Sequence, residues 1–311
     1  MKMANNLGLS SILFSLLFFS LIIETSLGAR NLNENVLDWV KKDHRRFLRA
    51  VIHVSDLDHS IKVYTRGFGM KLLKRRNFPD RGYKDALVGF GPQNTHFLLE
   101  LRQRDGLSNV FIGTEFGHFG IATQNVYKSV EQARANGAVV IHEPEKVNQT
   151  IFAFVQDHDG YKFKFIQTPS PLDPLSPIML RVQNLDLSAN FYSKALGMKL
   201  FKRQNNSTGE FILATLGYGT NQSKTTLLEL EKRNNISRDD GRDGYSMLYI
   251  STDNVNKTAE AAKVVIKELG GNLIMEPVLV PTINVKMTGF TDPDGWRMIM
   301  VDNKDYRRGT L

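Results

Sequence analysis

Cysteine is missing from all 311 residues. Its absence excludes a disulfide framework, a thiol nucleophile and a thiolate metal site, and leaves the redox compartment open. Charge of one sign is not concentrated anywhere. The net charge is +8, yet the lysines and arginines are scattered among acids. The densest basic stretch, Lys71–Arg76 (KLLKRR), carries Leu72 and Leu73 inside it. That pattern predicts an amphipathic edge strand with a solvated face and no nucleic-acid partner. Long apolar runs are absent except for one, Leu7–Ile23, which follows Lys2 and precedes Ser26-Leu27-Gly28. It predicts a secretory signal peptide over residues 1–28, with an uncleaved anchor as the alternative. The expected location is the secretory pathway, either the endoplasmic reticulum, where the chain could associate with the membrane, or the extracellular space. Asn148, Asn206, Asn221, Asn235 and Asn256 each head an N-x-S/T triplet and are candidate glycosylation sites.

Repetition dominates what is present. VSDLDHSIKVYTRGFGMKLLKRRN at Val54–Asn77 returns as VQNLDLSANFYSKALGMKLFKRQN at Val182–Asn205, offset by 128 with about half the positions identical. HFLLELRQ around Glu100 returns as TTLLELEK around Glu229, IHEP at Ile141 as IMEP at Ile274, and FVQDHDGYKF as FTDPDGWRM. A period this long means that one domain occurs twice.

Inside each half the pattern of elements is regular. Arg49–Val54 predicts a strand, and Asp56-Leu57-Asp58 offers N-cap chemistry to a helix that carries Ile61, Tyr64 and Phe68 and ends at Gly69. Met70–Arg75, Ala86–Gly89 and Phe97–Leu101 predict three further strands. The unit returns at Gly117–Ala122, Val126–Asn136, Val139–His142, Thr150–Gln156 and Tyr161–Gln167, before a Pro-rich linker at Thr168–Pro177. The second half supplies two more such units. The fold class is therefore α+β, with four βαβββ modules in two tandem domains at 47–168 and 177–303. Residues 31–44 predict an arm with a short helix at most.

The G-H-F-G-I-A run at Gly117–Ala122, L-R-V at Leu180–Val182, the Y-x-x-x-x-G-M-K-L blocks and the D-x-D-G-Y/W turns at Asp157 and Asp292 resemble plant two-domain glyoxalase I, of the vicinal oxygen chelate superfamily. The resemblance implies isomerisation of the methylglyoxal–glutathione hemithioacetal to lactoylglutathione. It also implies a divalent metal, nickel, zinc or magnesium, held by His or Gln and Glu side chains on the first and last strands of paired modules. Carried over residue by residue, those ligand positions fall on Arg49 and Glu100 in the first module and His118 and Lys164 in the second. In the third they fall on Pro177 and Glu229, and in the fourth on Met247 and Ile299. No pairing of modules completes a set, so no tightly bound metal is expected and His118, Glu229 and Glu100 read as remnant ligands, with weak metal binding left open. The arginine that meets a glutathione carboxylate survives as Arg181 and is His53 in the first module, while the family's Asn falls on Arg104 and Arg233.

These positions set the functional expectations. Lys164, His118 and Glu229 are the candidate catalytic residues, with Lys164 as a base if burial lowers its pKa. Arg49, Glu100 and Arg181 are candidate substrate-binding residues. The expected function is that of a specialised lyase or isomerase, independent of metal and glutathione, carrying out enolisation, tautomerisation or aromatisation on an apolar carbonyl compound of plant specialised metabolism. Lactoylglutathione lyase activity and a non-catalytic secretory scaffold, its two metal sites replaced by ion pairs such as Arg49–Glu100 and Lys164–Glu229, are the alternatives. The expected partner is a small carbonyl substrate, and the expected state is a monomer with an internal domain pair.

Overall fold

A computed structural model describes residues 34–169, 173–205, 210–220, 222, 225–233, 244–281 and 283–307. The expected leader and the sequons at Asn206, Asn221 and Asn235 lie outside the described residues. Chain order begins with helix α1 (34–40) and runs through four modules. The first holds β1 (Phe47–His53), α2 (Leu57–Lys62) continued by a π-turn at Val63–Gly67, β2 (Lys71–Phe78), β3 (Tyr83–Gly89) and β4 (Leu98–Arg104). The second holds β5 (Phe116–Thr123), α3 (Val126–Ala135), β6 (Val139–Val147), β7 (Thr150–Gln156) and β8 (Lys162–Gln167). The third holds β9 (Leu175–Arg181), α4 (Leu185–Leu196), β10 (Lys199–Asn205), β11 (Phe211–Gly217) and β12 (Leu227–Arg233). The fourth holds β13 (Tyr245–Thr252), α5 (Val255–Leu269), β14 (Asn272–Val280), β15 (Val285–Thr291) and β16 (Arg297–Asp302), followed by α6 (Asn303–Arg307).

Each module helix starts on the residue its sequence supplies. Asp56 accepts from the amides of Asp58 and His59, and Asn125, Asn184 and Asn254 accept from Lys128, Leu187 and Lys257. Each such cap is worth about 1 kcal/mol. The expected linker at 168–177 is corrected at its end, because β9 begins at Leu175 and takes Pro177 into the sheet. Proline lacks an amide donor, and it is tolerated here because the β5–β9 register shifts between Phe119 and Ile121.

Sheet pairing crosses the two sequence domains. One eight-stranded sheet runs β14-β15-β16-β13-β1-β4-β3-β2, joining modules four and one, and the other runs β10-β11-β12-β9-β5-β8-β7-β6, joining three and two. The central seams, β1–β13 and β5–β9, are antiparallel. The helix layer does the opposite and binds each domain to itself. Tyr64 Oη donates to Asp157 at 2.8 Å, and Tyr192 Oη donates to Asp292 at 2.9 Å, each tying an odd module's helix to the next module's D-x-D-G turn. Crossing sheets and self-contained helices give one continuous core, from Phe47 and Tyr64 through Phe119 and Phe163 to Phe290 and Met300.

Candidate active site

The sheet of modules two and three carries a cavity of about 450 Å3, within the range of small-molecule sites. All eight strands reach it, from Ile141 on one edge strand to Gln204 on the other. The seam brings the centre together. His118 pairs with Met179 across β5–β9, and Met179 pairs with Glu229 across β9–β12, so the three lie in a row. Gly117 and Gly120 allow this approach. A Cβ on Gly117 would sit 2.2 Å from Met179 Sδ, and one on Gly120 would sit 2.3 Å from both Pro177 Cδ and the Ser176 carbonyl.

Lys164 enters from β8 opposite Phe154. Its Nζ lies 5.0 Å from the Phe152 ring centre and 5.7 Å from that of Phe154, a cation–π seat, and His118 stands edge-on to Phe154 at 5.3 Å. The Lys164–Glu229 ion pair of the scaffold alternative is not formed; the Lys164 head lies over the two phenylalanine rings instead. Burial pushes the Glu229 carboxyl up, Lys164 pulls it down, Glu231 pushes it up, and the balance is upward. Arg181 lines the same cavity, with its Nε 2.9 Å from Glu231 Oε1 and its guanidinium donating to the carbonyls of Thr114 and Phe116. Phe152, Phe154, Phe211 and Glu231 are lining residues that sequence reasoning missed. Strand alternation around Lys164 and Glu229 was the available signal.

The structure does not bring Arg49 and Glu100 to this cavity. They lie in the other sheet, where Arg49 Nε meets Glu100 Oε2 at 2.8 Å, as the scaffold alternative expected. Arg76 and Arg102 join the same carboxylate, and Arg76 also grips Asp85 through two hydrogen bonds of 2.8 and 3.0 Å. Burial alone would raise the Glu100 pKa, but Arg49, Arg102 and Arg76 outweigh it and hold the carboxyl below its ordinary value. Across the seam Met247 and Ile299 pack with Met275 and Met287. This face has arginines and thioethers where the resemblance implies metal ligands.

Nor do the four ligand positions of the β5–β9 sheet fit a divalent ion. His118 and Glu229 offer a nitrogen and an oxygen, but Pro177 offers no donor and Lys164 brings a positive charge. Another group with ligand spacing, Asp157, His158 and Asp159, belongs to a turn. Asp157 accepts from Tyr64 and from the amides of Asp159 and Tyr161, while Asp159 accepts from Ser55.

The comparisons match this architecture. The model for the Glyoxalase/Bleomycin resistance protein/Dioxygenase superfamily matches residues 46–165 and 175–300. A rice protein named lactoylglutathione lyase is 44% identical over 276 residues, covering 88% of this chain and 94% of its own. An Arabidopsis protein of that name is 42% identical over 274 residues, covering 88% and 96%. The crystal structure of glyoxalase I from Zea mays superposes with a TM-score of 0.85 at 44% identity, covering 88% of this chain and 98% of that one. These relatives overturn the expectation of a specialised enzyme, independent of metal and glutathione, acting on an apolar carbonyl compound. They favour the alternative of lactoylglutathione lyase chemistry. Twice-repeated modules, cross-paired sheets and likeness over nearly the whole chain lead to one conclusion: this chain belongs to the glyoxalase I (lactoylglutathione lyase) family of the Glyoxalase/Bleomycin resistance protein/Dioxygenase superfamily.

Proposed function

We propose that the protein is a lactoylglutathione lyase of the glyoxalase I type, acting on the hemithioacetal of methylglyoxal and glutathione. The observation that carries this reading is the 42–44% identity, over 88% of the chain, to proteins of that name. In the reaction the carbon bearing sulfur and hydroxyl loses its C–H proton, the neighbouring carbonyl carbon gains one, the hydroxyl proton passes to the former carbonyl oxygen, and the product is a 2-hydroxy thioester. Atoms and electrons balance without an oxidant. Glu229, whose carboxyl pKa is raised by burial, takes and returns the proton. Lys164 and His118, lining the same cavity, stabilise the negative charge that develops on the substrate oxygens. Lys162 and Arg181 lie at hand for the carboxylates of the glutathione part. The chemistry rests on these side chains, because only two of the four ligand positions, His118 and Glu229, supply metal donors.

Thioester formation by the purified chain, chelator-treated and then with nickel, zinc or magnesium added, tests the proposal. Turnover is expected, and Glu229→Gln is expected to lower kcat by at least about 100-fold. Lys164→Met is expected to lower kcat and to move the acid limb of the pH profile upward, because Lys164 holds the Glu229 carboxyl down. Absence of thioester under every metal condition refutes the reading.

We also propose that the chain enters the secretory pathway. The apolar run after Lys2 supports this, and so does the exposure of Asn148 at the β6–β7 turn, with φ of 57°. Glycosidase treatment of the chain expressed in plant cells is expected to increase its mobility on a gel, and Asn148→Gln to reduce that shift. A cytosolic chain without glycan refutes it.

A further inference from the structure

A second cavity, of about 550 Å3, lies outside the candidate active site. The arm leading into β1 forms one wall, and the end of α4 with the start of β10 forms another. The basic groups around it differ in how far they are already used. Arg45 is spent inside the fold, since it donates to Asp43, to the Ala195 carbonyl and to Thr258. Arg46 uses one nitrogen on the Gln93 carbonyl and lies over the Tyr306 ring. Lys42 and Lys199 are exposed, and among the described residues neither forms a salt bridge. Tyr218 also lines the cavity. Its ring packs against Phe47 with centroids 5.3 Å apart, yet its buried hydroxyl has no hydrogen-bond partner among the described residues. Burial pushes that hydroxyl's pKa well up, so it stays a neutral donor. A buried donor without an acceptor beside uncommitted positive charge is complementary to an oxyanion.

We infer that this cavity binds a small oxyanion, a phosphate or carboxylate group, which accepts a hydrogen bond from Tyr218 Oη and is neutralised by Lys42, Arg46 and Lys199. Lys42 and Arg46 stand on the segment before and into β1 and Lys199 and Tyr218 belong to the second repeat, so the ligand would tie that N-terminal segment to the second repeat.

Calorimetric titration of the purified chain with inorganic phosphate, and separately with citrate, tests the inference and separates the two chemistries. One-to-one saturable binding of at least one anion is expected. Tyr218→Phe should weaken it about threefold or more. The double variant Lys42→Glu/Lys199→Glu, at two exposed positions, should weaken it about tenfold or more. Lys162→Met/Lys164→Met in the other cavity should leave it unchanged. No saturable binding, loss of binding in the Lys162/Lys164 variant, or undiminished binding in both the Tyr218 and the Lys42/Lys199 variants would overturn the inference.

Discussion

Asp157 and Asp292 occupy matching places in the two repeats, each beneath a tyrosine hydroxyl and each accepting two backbone amides of its own turn. Burial pushes each carboxyl from the ordinary 3.8 up to about 7. A folded-state pKa above the unfolded one means that the folded chain binds the extra proton. The stabilisation is complete below the unfolded value and is lost as pH rises through about 7. The thermal midpoint is therefore expected to fall between pH 5.5 and 8, and Asp157→Asn with Asp292→Asn to flatten that fall. Differential scanning calorimetry checks this, and an unchanged slope in the double variant would refute it. Other residues were legible to different depths. Lys164 and Pro177 could be read from the sequence as departures from a ligand pattern. The rings that hold Lys164 come from β7, and only sheet register identifies them.

The first and fourth modules show what an element does with a lost site. β4 places the Glu100 carboxylate at 0% exposure among Arg49, Arg76 and Arg102. Removing one partner of a buried ion pair costs about 3–5 kcal/mol, because the remaining charges stay buried. Glu100→Gln is thus expected to lower the unfolding free energy by that order in urea titration, with kcat at the other sheet unchanged. A loss below about 1 kcal/mol would show that the cluster contributes little. The Arg49–Glu100 pair could be anticipated from two substituted ligand positions, whereas Arg76, Arg102 and Asp85 became visible only when β2, β3 and β4 were aligned. Gly120 is the corresponding control on the β5–β9 seam. A methyl there would meet the Ser176 carbonyl and Pro177 at 2.3 Å, so Gly120→Ala is expected to separate His118 from Glu229 and to reduce turnover.

At the scale of the molecule, the chain is divided one way by sequence and another way by sheets. Residues 47–168 hold two modules whose helices pack together, but both of their central strands, β1 and β5, find antiparallel partners in the other half. A chain cleaved between 169 and 174 is therefore expected to remain one particle by size-exclusion chromatography. The 47–168 half alone should self-associate through its two open strand edges. A stable monomeric half would refute this. The intact chain, with both seams closed internally, is expected to be a monomer.

The order of residues alone set the module count, the repeat offset, the N-cap at Asp56 and the identity of the residues at every ligand position, because these depend on local chemistry and on a pattern written twice. Tertiary structure decided which positions share a cavity. His118, Lys164 and Glu229 are dispersed along the chain, and the β5–β9 seam joins them while placing Arg49 and Glu100 in the other sheet. It also decided the electrostatics, since the same carboxylate type is raised at Glu229 and lowered at Glu100. Glu100 is fully buried and Glu229 half-buried, yet the deciding difference is the guanidinium groups, three of which the fold brings to Glu100.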